Sequence, residues 1–451
     1  MSVQPILEAR KQELRRRVEG IPGEVANWKT RTLTAVDQNT HWSQLQAIGT
    51  LMDAFTQQQV DILNQLQTGG PLADFLTTST QLVQKIISSQ RAWDFFRDKL
   101  DLRFSPDFAP ALYVADIVAW DCYRPVLEEA ANAGILNSTE LREPPLTYLT
   151  AEFSPATWMR GMRPNDGRDY ILGTSRLPIP VIELPWDHVP NVWEFVALQH
   201  EVGHDLEADL KLRASLQVSL QDALTKKGVP KTRMTQWLAW LGEIFADQIG
   251  LQLGGPAFTE GLMSLLLLPE AQVTTYNQSD PHPTHYPRIL MNAAYIPTLV
   301  PGDAALIAHS QAIADRWIAI YGKQPQFKHV LEDFPLVFKA LMDTPLVELK
   351  GKRVRELMPY TAADDLRIRQ AAEYLQTGIN QPANLRPRHC VSAARLAVTD
   401  LADGSGLTPE LLEQIHQRTT RLVRANAPDG LLAIDNSPAH KKFIAGFADQ
   451  F

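Results

Sequence analysis

Residues 200–204 read His200-Glu201-Val202-Gly203-His204. This H-E-x-x-H pattern carries chemistry only if the backbone around it is helical. Positions i and i+4 share one helical face, about 6 Å apart along the axis, so two imidazoles there can hold one metal ion. Glu201 projects beside them and can act as a general base without ligating. The flanking residues predict the helix. Asn191 follows Pro190 as an N-cap, and Glu194 falls at the third helical position in a capping-box pattern. Phe195, Leu198, Val202 and Leu206 form an apolar stripe at spacings of three and four. His200, Glu201 and His204 lie on a neighbouring face, so core packing does not consume them.

A zinc site needs a third protein ligand, and Glu243 is the best candidate. It lies in a stretch where Met234, Trp237, Leu238, Leu241, Ile244 and Phe245 make a helical stripe. Glu243 and Asp247 share a different face with Ala239, Ala246 and Gly250. Those small residues would let this helix approach the histidine helix closely. Gly254-Gly255-Pro256 is a stop signal.

An E-x-x-x-D helix downstream of H-E-x-x-H resembles the gluzincins, the thermolysin-like clan of zinc peptidases. The resemblance implies that His200, His204 and Glu243 hold Zn2+. It also implies that Asp247 orients a ligand histidine by accepting its other ring N–H. Two features limit the match to the clan: the interval from His204 to Glu243 is longer than in thermolysin, and the charged Asp205 follows the second histidine. Leu210 stands where a metzincin would need a third histidine. The resemblance covers about a quarter of the chain.

Asp280-Pro281-His282-Pro283-Thr284-His285-Tyr286-Pro287-Arg288 follows. Its three prolines predict an extended or turned segment, with a helix-like stretch from Ile289. Gluzincin catalysis needs a donor for the oxyanion, and His282, His285 and Tyr286 are the dense set of such donors here. A His-Pro element followed by Arg also resembles the membrane-bound CAAX-type and heat-shock zinc peptidases. By that resemblance Arg288 pairs with Asp247 and one histidine faces the substrate.

Upstream, Leu177 to Pro185 is β-branched and punctuated by prolines, which predicts an edge strand. Such a strand just before the histidine helix could line the cleft and pair with an extended peptide. Leu146–Thr150 and Tyr170–Leu172 are further strand candidates.

At 451 residues the chain exceeds one typical core. The pattern divides into a helical segment 1–143, a mixed segment 144–300 that begins at Pro144-Pro145 and holds every chemical motif, and a helical segment 301–451. Helical runs fall at Leu45–Leu66, Leu72–Leu100 and Ala111–Ala131, and Thr408-Pro409 reads as a cap with proline at the first helical position. A net charge of −8 argues against general nucleic-acid binding. No apolar run is long enough to span a bilayer, and Met1–Gly20 is amphipathic rather than a secretory leader. Only Cys122 and Cys390 are present, which fits a reducing, cytoplasmic setting.

The sequence therefore predicts an α+β, predominantly helical protein with a zincin-like core and a small sheet. The activity expected is that of a zinc-dependent peptidase acting on a peptide or protein, without nucleic acid or membrane. The rivals are a non-catalytic zinc-containing binding module and a narrow regulatory protease that cleaves one partner.

Overall fold

The computed structural model describes residues 3–35, 38–137, 141–162, 176–277, 280–404, 406–427 and 438–448. Four long helices come first: α1 (Gln4–Ala35), α2 (Gln38–Gln65), α3 (Leu72–Asp101) and α4 (Ala109–Asn132). Then come the three strands β1 (Leu146–Thr150), β2 (Ala156–Trp158) and β3 (Val181–Pro185). Helices α5 (Leu198–Asp209), α6 (Arg213–Lys226), α7 (Lys231–Ala239), α8 (Leu241–Gly254), α9 (Pro256–Leu265), α10 (Glu270–Thr274) and α11 (His285–Tyr295) follow. The chain closes with α12 (Ala304–Tyr321), α13 (Lys328–Met342), α14 (Ala362–Thr377), α15 (Pro387–Asp403), α16 (Pro409–Ala425) and α17 (Pro438–Ala445). Among the described residues the protein is thus mostly helical with one three-stranded sheet, as the sequence predicts. Among the described residues no helix is long and apolar enough to cross a membrane.

The sheet order is β1-β3-β2. β3 runs parallel to β1, with Leu146 opposite Val181, and antiparallel to β2, with Ala156 opposite Glu183. The predicted edge strand is therefore the central one. Its prolines explain the difference: Pro178 and Pro180 precede the strand and Pro185 ends it. Val181 to Leu184 keep every N–H the two ladders need. Among the described residues the edge beside the site is β2. The candidate strand at Tyr170–Leu172 lies outside the described residues.

Both faces of the sheet are covered, as alternation along the strands requires. Leu146 and Val181 pack with Trp28, Ile48, Phe96 and Ile444 of α1, α2, α3 and α17. Leu149, Ile182 and Leu184 point the other way into the main core. That core takes in α4 and α5 through α9, and continues into α11 to α16. Helix α4 thus shares one core with the helices that carry the motifs. Cys122 and Cys390 are buried in it, unpaired.

Two local expectations change. The Asn191–Glu194 capping box does not form. Val192–Ala197 is a 3-10 turn, Asn191 Nδ2 donates to the Asp187 carbonyl, and Glu194 accepts from Arg395 instead. The stripe from Met234 to Phe245 spans two helices rather than one, with the break at Trp240. Trp237 and Trp240 are both buried there and meet edge to face.

Candidate metal centre

Helices α5 and α8 lie against each other because small residues meet at their crossing. A methyl group on Gly203 would stand 2.9 Å from Ala246 Cα, inside van der Waals contact. Gly250, expected on the same face, instead packs under the Phe258 ring. Helix α8 ends at Gly254, and Gly255 (φ +64°) makes the left-handed turn that starts α9 at Pro256.

At this crossing three side chains converge. His200 Nε2 lies 3.2 Å from His204 Nε2 and 3.2 Å from Glu243 Oε2, and His204 Nε2 lies 3.5 Å from Glu243 Oε1. Donors about 2.1 Å from one tetrahedral zinc ion stand about 3.4 Å apart. These distances match that spacing, and both imidazoles present the same ring nitrogen. Glu243 Oε2 is buried and accepts no well-formed hydrogen bond. Two imidazoles and one carboxylate, whose Oε2 accepts no aligned hydrogen bond, are a donor set that fits zinc. Among the described residues this is the one cluster of His, Cys, Asp or Glu with metal-holding geometry.

The surroundings hold the ligands in place. Asp247 Oδ1 lies 2.9 Å from His200 Nδ1, an ion-pair contact without aligned hydrogen-bond geometry. Asp247 also accepts from Arg288 Nε at 2.8 Å, Arg288 Nη2 at 2.7 Å and Asn292 Nδ2 at 2.9 Å. Burial works against the Asp247 charge, but Arg288 and His200 outweigh it and hold the carboxyl well below its ordinary range. Glu243 is likewise held low against burial, by His200, His204 and Arg288. Burial and the neighbouring His200 push His204 down to about 3, which leaves it a neutral donor. Burial also disfavours the His200 cation, yet Asp247 and Glu243 raise it to about 10.

Glu201 lies beside the cluster, 6 % exposed, and burial pushes its carboxyl up to about 7. Asp205, the unusual neighbour, is turned into the interior 3.4 Å from Thr157 Oγ1, and burial raises it well above its usual value.

Of the proline-rich segment, His282 comes closest. Its Nε2 is 3.3 Å from Glu243 Oε2, and its Nδ1 is 2.8 Å from Asp280 Oδ1. Helix α11 begins at His285, earlier than the prolines suggest. Pro287 is accommodated because first-turn N–H groups have no intrahelical acceptor. His285 is part-buried with Nδ1 lacking a partner. Tyr286 is not brought to the site. It is buried, donates to the Gly322 carbonyl at 2.9 Å and stacks on Phe327, because it points from the opposite face of α11.

Two cavities flank the cluster and share a wall made by Phe153, Ser154, Pro155, His200, Glu201 and His282. One, of about 490 Å³, is walled by Val196, Phe258, Leu262, Leu265 and Leu266, with His188, Glu194 and Arg288 among its polar groups. The other, of about 610 Å³, is reached by His204, Glu243, Met159, Met162 and Arg213. Sequence reading missed these walls. The apolar run Gly261–Leu268 was legible only as hydrophobic, and nothing in the sequence singles out Phe153, His188 or Arg213.

Comparison with models of known protein families, with curated proteins and with solved structures finds no match in any of the three.

Proposed function

We propose that the chain is a zinc-dependent peptidase, with His200, His204 and Glu243 as the metal ligands. The observation that carries this reading is the position of Glu201. It is a buried carboxylate beside a convergent His-His-Glu set, on the wall common to two cavities. A structural zinc normally takes four protein ligands, whereas three converge here at the edge of a cleft, which favours catalysis over a purely structural role.

Zinc held in such a site supplies Lewis acidity, polarising a substrate carbonyl and lowering the pKa of water to about 7. Glu201 accepts the proton of the attacking water and returns it to the leaving amine. Asp247 fixes the His200 ring through Nδ1, and Arg288 fixes Asp247. His282, on the shared wall, donates to the developing oxyanion. An extended peptide lies along the bend Phe153–Pro155 and the strand β2 that follows it, and an apolar side chain enters the cavity walled by Phe258, Leu262 and Leu265.

The test is cleavage of a peptide library by zinc-loaded protein, with Glu201→Gln as the control that keeps size and ligands but cannot take a proton. Cleavage by the wild type that persists in Glu201→Gln overturns the reading.

A further inference from the structure

Arg213 opens α6 and reaches the rim of the larger cavity. Its side chain is 54 % exposed. Nε is held 2.8 Å from Glu207 Oε1, and Glu207 itself is almost fully buried. That contact is an ion pair without an aligned hydrogen bond, since Glu207 Oε1 accepts none. Among the described residues neither Nη atom has a hydrogen-bond acceptor. Both lie over Gly242, where a methyl group would meet Nη2 at 2.6 Å and Nη1 at 3.0 Å. Gly242 directly precedes Glu243, so its missing side chain lets a planar cation lie against α8 one residue from the metal cluster. The same cavity is also lined by the exposed Glu152. A guanidinium paired with Glu207 and packed flat over Gly242, with two free Nη groups, presents the paired donors that match a carboxylate.

We infer that Arg213 is a specificity-determining residue that binds a carboxylate of the substrate, in the cavity that holds His204 and Glu243. The substrate class is a peptide with an anionic group on that side of the cleft and an apolar side chain on the other. The carboxylate can be an acidic side chain or the chain's C-terminus. The inference rests on the peptidase reading for the word substrate, but its test is binding.

The probe is a fluorescent peptide library in which each sequence is made in matched forms: internal Glu against Gln, and free C-terminal acid against amide. Binding is measured by anisotropy on zinc-loaded Glu201→Gln protein, with and without Arg213→Gln. The expected result is at least ten-fold tighter binding of the carboxylate form, collapsing to less than two-fold in the Arg213→Gln background at equal zinc content. Which matched pair shows the effect distinguishes an acidic side chain from a chain end. Arg213→Lys should retain part of the preference, because a point charge replaces the paired donors. Gly242→Ala should weaken it by displacing the guanidinium while keeping its charge. A carboxylate preference that is absent, or that survives Arg213→Gln, overturns the inference. Cleavage of the library by wild-type protein is measured in parallel. Cleavage without an Arg213-dependent preference defeats only this inference, and Arg213-dependent binding without cleavage defeats the peptidase reading.

Discussion

Gly203 of α5 passes Ala246 of α8 with no room for a methyl group between them, since a Cβ on Gly203 would lie 2.9 Å from Ala246 Cα. This contact sets the separation of the two helices that carry His200, His204 and Glu243. Gly203→Ala should cost about 1–3 kcal/mol through overpacking and should weaken zinc binding by spreading the ligands. Ala246→Gly should rescue it poorly, because the nearest atom is backbone. Denaturant unfolding and metal titration of the single and double variants measure both effects. Wild-type stability and affinity in Gly203→Ala would show that the crossing does not set the ligand spacing.

The three ligands are predicted to bind about one zinc per chain. His204→Ala and Glu243→Ala should each abolish tight binding, and Asp247→Ala should weaken it roughly 10–100-fold. Equilibrium metal analysis after chelator challenge is the measurement. Full occupancy in Glu243→Ala would remove that residue from the ligand set.

Arg288 and Asp247 are an almost fully buried ion pair, 2.7 Å between Nη2 and Oδ1. Arg288→Ala removes the main compensating charge from buried Asp247 and leaves it only His200 and Asn292, so the loss should be about 3–5 kcal/mol, together with weaker zinc binding. A loss below about 1 kcal/mol in a denaturant titration would argue that Asp247 finds another partner.

The histidines and the tyrosine of the proline-rich segment should separate. His282→Ala should lower kcat about 10²–10³-fold with zinc retained, the usual effect of losing an oxyanion donor. Tyr286→Phe should leave kcat alone and cost about 1 kcal/mol of stability for its bond to Gly322. The kinetics decide between them: equal turnover in both variants would move the donor to His285 or beyond this segment.

Glu207 gives a pH signature. Burial pushes its carboxyl up to about 7 in the folded chain, against the ordinary 4.5. The folded state therefore binds the proton more tightly. The resulting stability is fully present below the unfolded value and is lost as pH rises through the folded one. Glu207→Gln should flatten the decline between about pH 4.5 and 7, by roughly 1–3 kcal/mol across that window. Parallel stability curves for wild type and variant would place the Glu207 pKa near its ordinary value.

The parts of the fold set by local pattern were legible in the sequence. The long apolar spacings gave α2, α3 and α4. Thr408 caps α16 as its position suggests, its side chain accepting from the Leu411 N–H. The stop at Gly254-Gly255-Pro256 fell where α8 gives way to α9. Reading Glu243 and Asp247 as one helical face placed them together, and the structure sets both against His200. What depends on tertiary contact was not legible. The strand over Val181–Pro185 looks like an edge because its prolines are counted without their positions. Asn191 and Glu194 have capping identities but are drawn to Asp187 and Arg395. Tyr286 has the right chemistry for a donor and the wrong side of α11. Arg213 has no sequence signal, because its significance comes from Gly242, 29 positions along the chain and on another helix.

The most direct test of the central claim is peptide hydrolysis measured on zinc-loaded wild type and Glu201→Gln at matched metal content and fold. The account predicts cleavage by the wild type and its loss in Glu201→Gln, with zinc content and unfolding midpoint preserved. Equal cleavage by both proteins, or none by a fully zinc-loaded wild type across a diverse peptide library, would contradict it.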